Sequence, residues 1–238
     1  MPQITTLLFD LDGTLLPMDM DYFVAQYMQK LAARFLPILD PKQFIANLWQ
    51  ATNAMITNTE LGCDNETAFW DCFTRLVPQP RTDLESLFDD FYSTEFKSLA
   101  YSTQPSPLVP QILDLAKQQG FKLVLATNPI FPAIATWERM RWAGIEDHPW
   151  ELVTTYENSR FCKPNLDYYR DILNHLHLTP GECLMIGNDM QEDMVAAELG
   201  LATGLILDGL IDRGSPQYTP AFKGCLSDIK DYILKLND

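Results

Sequence analysis

Positive charge is scarce in this chain. Seventeen lysines and arginines face 32 acidic residues, for a formal net charge of −15 over 238 residues. Nucleic acids and anionic membranes are held through clustered Lys and Arg, so neither is expected as a partner. Long apolar runs are missing as well. No stretch reaches the ~18 apolar residues of a transmembrane helix, so no span is expected. The first residues carry no basic cluster, and Asp10 and Asp12 interrupt their apolar run, which argues against a signal peptide. The five cysteines (Cys63, Cys72, Cys162, Cys183 and Cys225) form no C-x-x-C pair. Scattered and odd in number, they read as free thiols in a reducing cytoplasm. Histidine is rare. His175 and His177 lie two apart on a predicted helix and share no face, so they read as structural or exposed rather than as metal ligands. His148 falls in a loop and is expected to be exposed. No internal repeat or low-complexity tract is present.

What is present is ordinary for a globular protein: 47% hydrophobic and 21% charged residues. The length suits one large domain, or a core with an insert. Five short apolar runs read as strands: Ile4–Asp10, Phe121–Thr127, Glu151–Thr155, Cys183–Gly187 and Ala202–Leu207. They are continuous rather than alternating, as parallel strands covered on both faces should be. Helical patterns at Pro107–Gln119, Ile130–Ala143, Asn165–Leu176 and Asp193–Leu199 separate the later runs, and glycines follow three of them. Strands alternating with helices predict a doubly wound parallel α/β sheet. Between the first two strands the rhythm changes. Helices are predicted over Asp21–Phe35, Pro41–Thr57, Asn65–Leu76 and Thr82–Phe96, with Tyr27, Leu31 and Phe35 on one face and Phe44, Leu48 and Ala51 on another. Some eighty residues are too many for a simple crossover. The chain therefore divides into an α/β core, residues 1–16 and 101–238, and a helical insert, residues 17–100. Leu226–Leu236 reads as a closing helix.

The motif Phe9-Asp10-Leu11-Asp12-Gly13-Thr14 ends the first strand. Residues i and i+2 of a strand share a face, so Asp10 and Asp12 project together. They do so at a strand tip, where open α/β sheets bind ligands. Thr127 and Asn128 end the second strand, with a hydroxyl and an amide able to donate to phosphoryl oxygens. Lys163 follows the third, as a compact cation suited to phosphate. The fourth ends in Gly187-Asn188-Asp189-Met190-Gln191-Glu192-Asp193. Asp10, Asp12 and Asp189 make an oxygen-rich set that suits Mg²⁺. Each residue also has a plainer reading: a turn or N-cap aspartate, a strand-ending threonine, a solvated lysine.

Together, FDLDGT, the Thr of LATN, the Lys of CKPNLD and GNDMQED resemble, in order and spacing, the four motifs of the haloacid dehalogenase-like (HAD) hydrolases. The helical insert lies where members with a C1 cap carry theirs. The resemblance implies a Mg²⁺-dependent phosphatase acting on a small phosphorylated metabolite. In that reading Asp10 is the nucleophile and forms an aspartyl-phosphate, and Asp12 is the general acid and base. Thr127, Asn128 and Lys163 hold the phosphoryl group. Lys163 also orients Asp10. The metal ligands are Asp10, the Asp12 carbonyl and Asp189, with Asp193 behind them. Asn188 departs from the common Gly-Asp, and Glu192 competes with Asp193 for the outer role. Asp12 disfavours C–halogen cleavage, because relatives with that activity generally lack a second carboxylate. Two alternatives share these residues: a phosphomutase or phosphotransferase, and a non-enzymatic binding protein of the same fold. Arg34, Trp49, Trp70 and Arg75 are possible substrate readers in the insert, although packing suits each Trp and a solvated face each Arg.

Overall fold

The computed structural model describes residues 3–236. Residues 1, 2, 237 and 238, which the sequence assigns to the α/β core, lie outside the described residues. Six strands form one parallel sheet: β1 (Thr6–Phe9), β2 (Lys122–Leu125), β3 (Trp150–Val153), β4 (Cys183–Gly187), β5 (Ala202–Ile206) and β6 (Phe222–Gly224). Their order is β3-β2-β1-β4-β5-β6. β1 therefore lies between β2 and β4, with Phe9 level with both Leu125 and Ile186. The order reverses beside β1, and ligands of doubly wound sheets bind at such a switch point.

Both faces of the sheet are covered, which is why its strands read as unbroken apolar runs. Successive β1 side chains point to opposite faces. Leu7 and Phe9 pack with α5 (Leu108–Gln118), α6 (Ala133–Ala143) and α8 (Ile229–Lys235). Leu8 packs with Val124, Met185 and α7 (Leu166–His175). The predicted glycine stops at Gly120, Gly144 and Gly200 all carry positive φ.

Between β1 and α5 the chain forms four helices: α1 (Met20–Arg34), α2 (Pro41–Ile56), α3 (Asn65–Leu76) and α4 (Arg81–Ser93). Their starts were written in aspartates. Asp19, Asp40 and Asp64 accept from backbone N–H groups of the first turns, and Pro41 occupies the first position of α2. The helices bury an aromatic core in which Phe35 stacks on Phe44 at 4.3 Å and both rings approach Phe88. Tyr27, Leu31 and Phe35 are buried, as are Phe44, Leu48 and Ala51.

Three differences from the sequence reading stand out. The helix expected over Thr82–Phe96 ends at Ser93 and gives way to a 3₁₀ segment, Glu95–Ser102. Ser93 and Thr94 both donate their hydroxyls to the Asp90 carbonyl, which competes with the helical ladder. β6 was not anticipated, being three residues on the sheet edge. His148 is half-buried, with its imidazole 3.4 Å from Asp114, rather than exposed. The chain leaves the sheet and returns to it through neighbouring segments. Gln104 N donates to the Pro17 carbonyl at 2.7 Å, and Met18 bridges Thr103.

Candidate active site

The loop after β1 turns at once. Thr14 N donates to the Leu11 carbonyl, and Gly13 holds φ +83°. A side chain at Gly13 would also strike the Asn188 amide. This closeness brings the tips of β1 and β4 together. Thr14 Oγ1 donates to Asn188 Oδ1 at 2.9 Å, and Asn188 Nδ2 donates to the Gly209 carbonyl at 2.6 Å. Asn188, the departure from the common pattern, thus ties three loops.

Asp10 and Lys163 meet across 153 residues of chain, at 2.9 Å from Nζ to Oδ1. The second partner of Nζ is Asp193 Oδ1, at 2.6 Å. Lys163 is 1% exposed and Asp193 1%, so this is a buried cation between two carboxylates. Burial works against the ammonium, but Asp10 and Asp193 outweigh it and hold Lys163 well above the usual lysine pKa. Burial pushes the Asp10 and Asp193 carboxyls up, and Lys163 opposes it in both. The other Asp193 oxygen accepts from Asp189 N at 2.9 Å. Only a glycine at 187 leaves room for it, because a Cβ there would collide with this carboxylate.

Asp12 sits beside Asp10 and is paired with Arg139 of α6. The guanidinium is fully buried, bonds Thr136 Oγ1 and the Ala135 carbonyl, and lies 4.3 Å from the Phe131 ring centre. The remaining Asp12 oxygen, Oδ1, is buried without a hydrogen-bond partner.

Thr127 and Asn128 follow β2. The Thr127 carbonyl accepts from Thr154 and Tyr168 hydroxyls at 2.8 and 2.9 Å, which fixes the loop. Asn128 uses its amide inside the protein: Nδ2 donates to Glu192 Oε2 at 3.0 Å, and Oδ1 accepts from Lys163 N at 3.2 Å. Asp189 accepts at Oδ1 from the backbone N–H of Gln191 and Glu192, both at 2.9 Å. Arg213 clasps it too, with Nη1 at 2.8 and 2.7 Å from its two oxygens, and reaches Glu192 at 3.3 Å. Burial, with the Asp189 charge behind it, pushes Glu192 up to about 7.

Asp10, Asp12, Thr127, Asn128, Asp189 and Asp193 all line one cavity of about 450 Å³. Lys163 reaches it through Asp10. Among the described residues no three His, Cys, Asp or Glu side chains gather closely enough to hold a metal ion unaided. Arg139 and Arg213 were invisible to motif reading. Arg139 lies on a helix that reads as ordinary aromatic packing, and Arg213 in a loop after β5. Thr14 was legible as part of DLDGT but was given no role. Of the four suggested substrate readers, Trp49 and Trp70 line the cavity. Arg34 is engaged with Asp90 and Glu95, and Arg75 is exposed.

This arrangement can do nucleophilic chemistry at an electrophile drawn to the strand tips. One carboxylate is aimed by a lysine, and a second stands beside it to handle protons. Comparison with known proteins supplies the family. A family model described as haloacid dehalogenase-like hydrolase matches residues 4–200. A phosphoglycolate phosphatase of Vibrio vulnificus (strain YJ016) is 26% identical over 205 residues, 84% of this chain and 82% of that protein. A glyceraldehyde 3-phosphate phosphatase of Methanothermobacter thermautotrophicus is 30% identical over 94 residues, which span 40% of each chain. Among solved structures, a predicted phosphoglycolate phosphatase from Haemophilus somnus 129pt superposes with a TM-score of 0.60 at 17% identity, covering 98% of this chain and 99% of that one. The L-2-haloacid dehalogenase from Xanthobacter autotrophicus gives 0.57 at 15% identity, covering 98% and 99%. At such identities these structures speak for the fold, while the family model spans β1 to β4 and every motif of the site: the chain belongs to the haloacid dehalogenase-like hydrolases.

Proposed function

We propose that this hydrolase is a phosphatase that removes phosphate from a small phosphomonoester through an aspartyl-phosphate on Asp10. The observation that carries the reading is the pair Asp10 and Asp12 at one strand tip, with Lys163 on Asp10 and Arg139 on Asp12. A purely structural role needs no such pairing of carboxylates within a cavity. The phosphatase names of the relatives point the same way.

Asp10 attacks phosphorus, and the bond to the ester oxygen breaks. Asp12 donates its proton to the departing alkoxide. Water then attacks phosphorus, gives a proton to Asp12, and restores the Asp10 carboxylate as inorganic phosphate leaves. A carboxylate meeting a phosphate dianion is repelled. At ~4 Å two like unit charges cost about 4 kcal/mol at an effective dielectric of 20. Lys163 offsets part of this. The donors suit Mg²⁺ in kind: Asp10 and Asp189 offer hard carboxylate oxygens to one cavity, the Asp12 carbonyl would join them, and water would fill the rest once Arg213 released the Asp189 oxygens it holds. The ion would neutralise phosphoryl charge when bound. Thr127 is assigned to the phosphoryl oxygens, and Asn128, through Glu192 and Lys163 N, to the loop that presents it. Asp193 braces Lys163. The helices of residues 17–100 act as a cap that excludes water from the first step.

The test is phosphate release over a panel of phosphomonoesters, with Asp10→Asn as control. We expect release with the native protein that stops in chelator and returns with Mg²⁺, and none from Asp10→Asn. Substantial turnover by Asp10→Asn would remove Asp10 as nucleophile. Phosphate passing mainly to an added alcohol would reassign the protein as a phosphotransferase.

A further inference from the structure

The cavity does not end at the carboxylates. It continues between the four helices, and its volume of about 450 Å³ falls in the range of about 300–1,000 Å³ that suits drug-sized ligands. Its far walls are aromatic: Tyr27, Phe69, Trp70, Phe88 and Tyr92 all line it, and all are buried. The rings are already set against one another. Tyr27 and Tyr92 share a hydrogen bond of 2.8 Å, and Phe88 meets Phe69 and Trp70 edge-on.

Charge is equally telling. No Lys, Arg or His of the four helices lines the cavity, and the charged residues they do contribute are Glu66, Glu85 and Asp89. Arg81 pairs with Glu66 at 3.0 Å and Glu85 at 2.6 Å, lying over the Trp70 ring, so it balances those acids and is not free for a ligand. Arg213 is the one lining cation, and it is held at the reacting end by Asp189 and Glu192. A carboxylate on the leaving group would lose its water here and gain no cation.

We infer that the alcohol carrying the phosphate is bulky and aromatic and bears no negative charge. Phosphoglycolate, whose leaving group carries a carboxylate, fits this cavity poorly, and glyceraldehyde 3-phosphate, small and without a ring, leaves its aromatic walls unfilled. The inference depends on the phosphatase reading for its reacting end alone; the walls argue for the rest. Arene faces gain from offset and edge-on contact with such rings beyond the area they bury.

Two measurements separate the ideas. In the first, 2-(2-naphthyl)ethyl phosphate, phosphoglycolate and glyceraldehyde 3-phosphate are bound to Asp10→Asn and followed by titration calorimetry. The naphthyl ester should bind tighter by on the order of tenfold or more. Trp49, 48% exposed on the cavity wall, can be replaced without opening the core. Trp49→Ala should weaken the naphthyl ester several-fold and leave the other two unchanged. Equal or tighter binding of phosphoglycolate or glyceraldehyde 3-phosphate would overturn the inference. In the second, phosphate release by the native protein is followed for the same three esters. All have primary alkyl leaving groups, so the comparison reports recognition. A kcat/KM highest for the naphthyl ester supports the inference; a preference for either small ester overturns it. If no ester released phosphate while the binding order held, the reaction assigned to the site would fall and the aromatic ligand would stand.

Discussion

Asp12 is held by an arginine that no motif announces. Arg139 is buried, and three groups besides Asp12 fix it: the Thr136 hydroxyl, the Ala135 carbonyl and the face of Phe131. A guanidinium fixed on three sides positions the one Asp12 oxygen it bonds, and in the proposed reaction small misplacement of a proton-handling group is costly. Arg139→Lys keeps the charge and loses the fork. We expect kcat to fall about tenfold with KM nearly unchanged, since Arg139 is fully buried and does not line the cavity. Steady-state kinetics beside a circular dichroism spectrum would check it. Unchanged kcat would show that Asp12 needs no such brace. Asp193 makes the opposite point. The family resemblance implies a place behind the metal, and the structure adds contacts to Lys163 Nζ and Asp189 N.

Among the elements, α3 docks the helices on the loops that follow β2 and β3. The first N–H groups of a helix have no partners within it. Here Asn65 N donates to the Ser159 carbonyl at 2.8 Å and Glu66 N to the Tyr156 carbonyl at 3.0 Å. The fully buried Asn65 side chain adds a bond to the Pro129 carbonyl at 3.1 Å. Asn65→Ala strands that carbonyl and should cost about 1–3 kcal/mol, read from the urea midpoint. No loss would mean that the junction is held elsewhere. This docking was illegible in the sequence, where Asn65 is one more polar residue at a helix start. The strands were legible because burial on both faces leaves an unbroken apolar signature, and Leu7, Leu8 and Phe9 carry it. β6 was not, because three edge residues with Lys223 in the middle make no pattern. The site divides in the same way. Asp10, Asp12, Lys163 and Asp189 stand in local motifs, but Arg139 and Arg213 reach the site through tertiary packing that no short stretch encodes.

Over the whole molecule, the scattered cysteines report on burial. Burial pushes the Cys162 and Cys183 thiols up to about 12. At pH 8 both stay protonated, and thiolate forms only as the pH nears those values, so they should resist alkylation. Cys225 is exposed, and Cys63 and Cys72 are half-buried. Mass spectrometry after iodoacetamide at pH 8 should find at most three labels on the native chain and five once it is unfolded. Early labelling of Cys162 would contradict its place beside Asn65 and the helical core.

The paired crossing at Pro17–Gln104 and Met18–Thr103 has a consequence for how such a molecule can change. Outgoing and returning segments of the chain lie within hydrogen-bonding distance, so the covalent path into and out of the helices is one narrow stalk, with α3 as a second, non-covalent attachment. Loop-closure entropy grows only slowly with length, and a stalk of fixed width is indifferent to what it carries. Helix length can change at loops away from the α3 contacts without altering that stalk. New pockets can be tried above an unchanged pair of carboxylates.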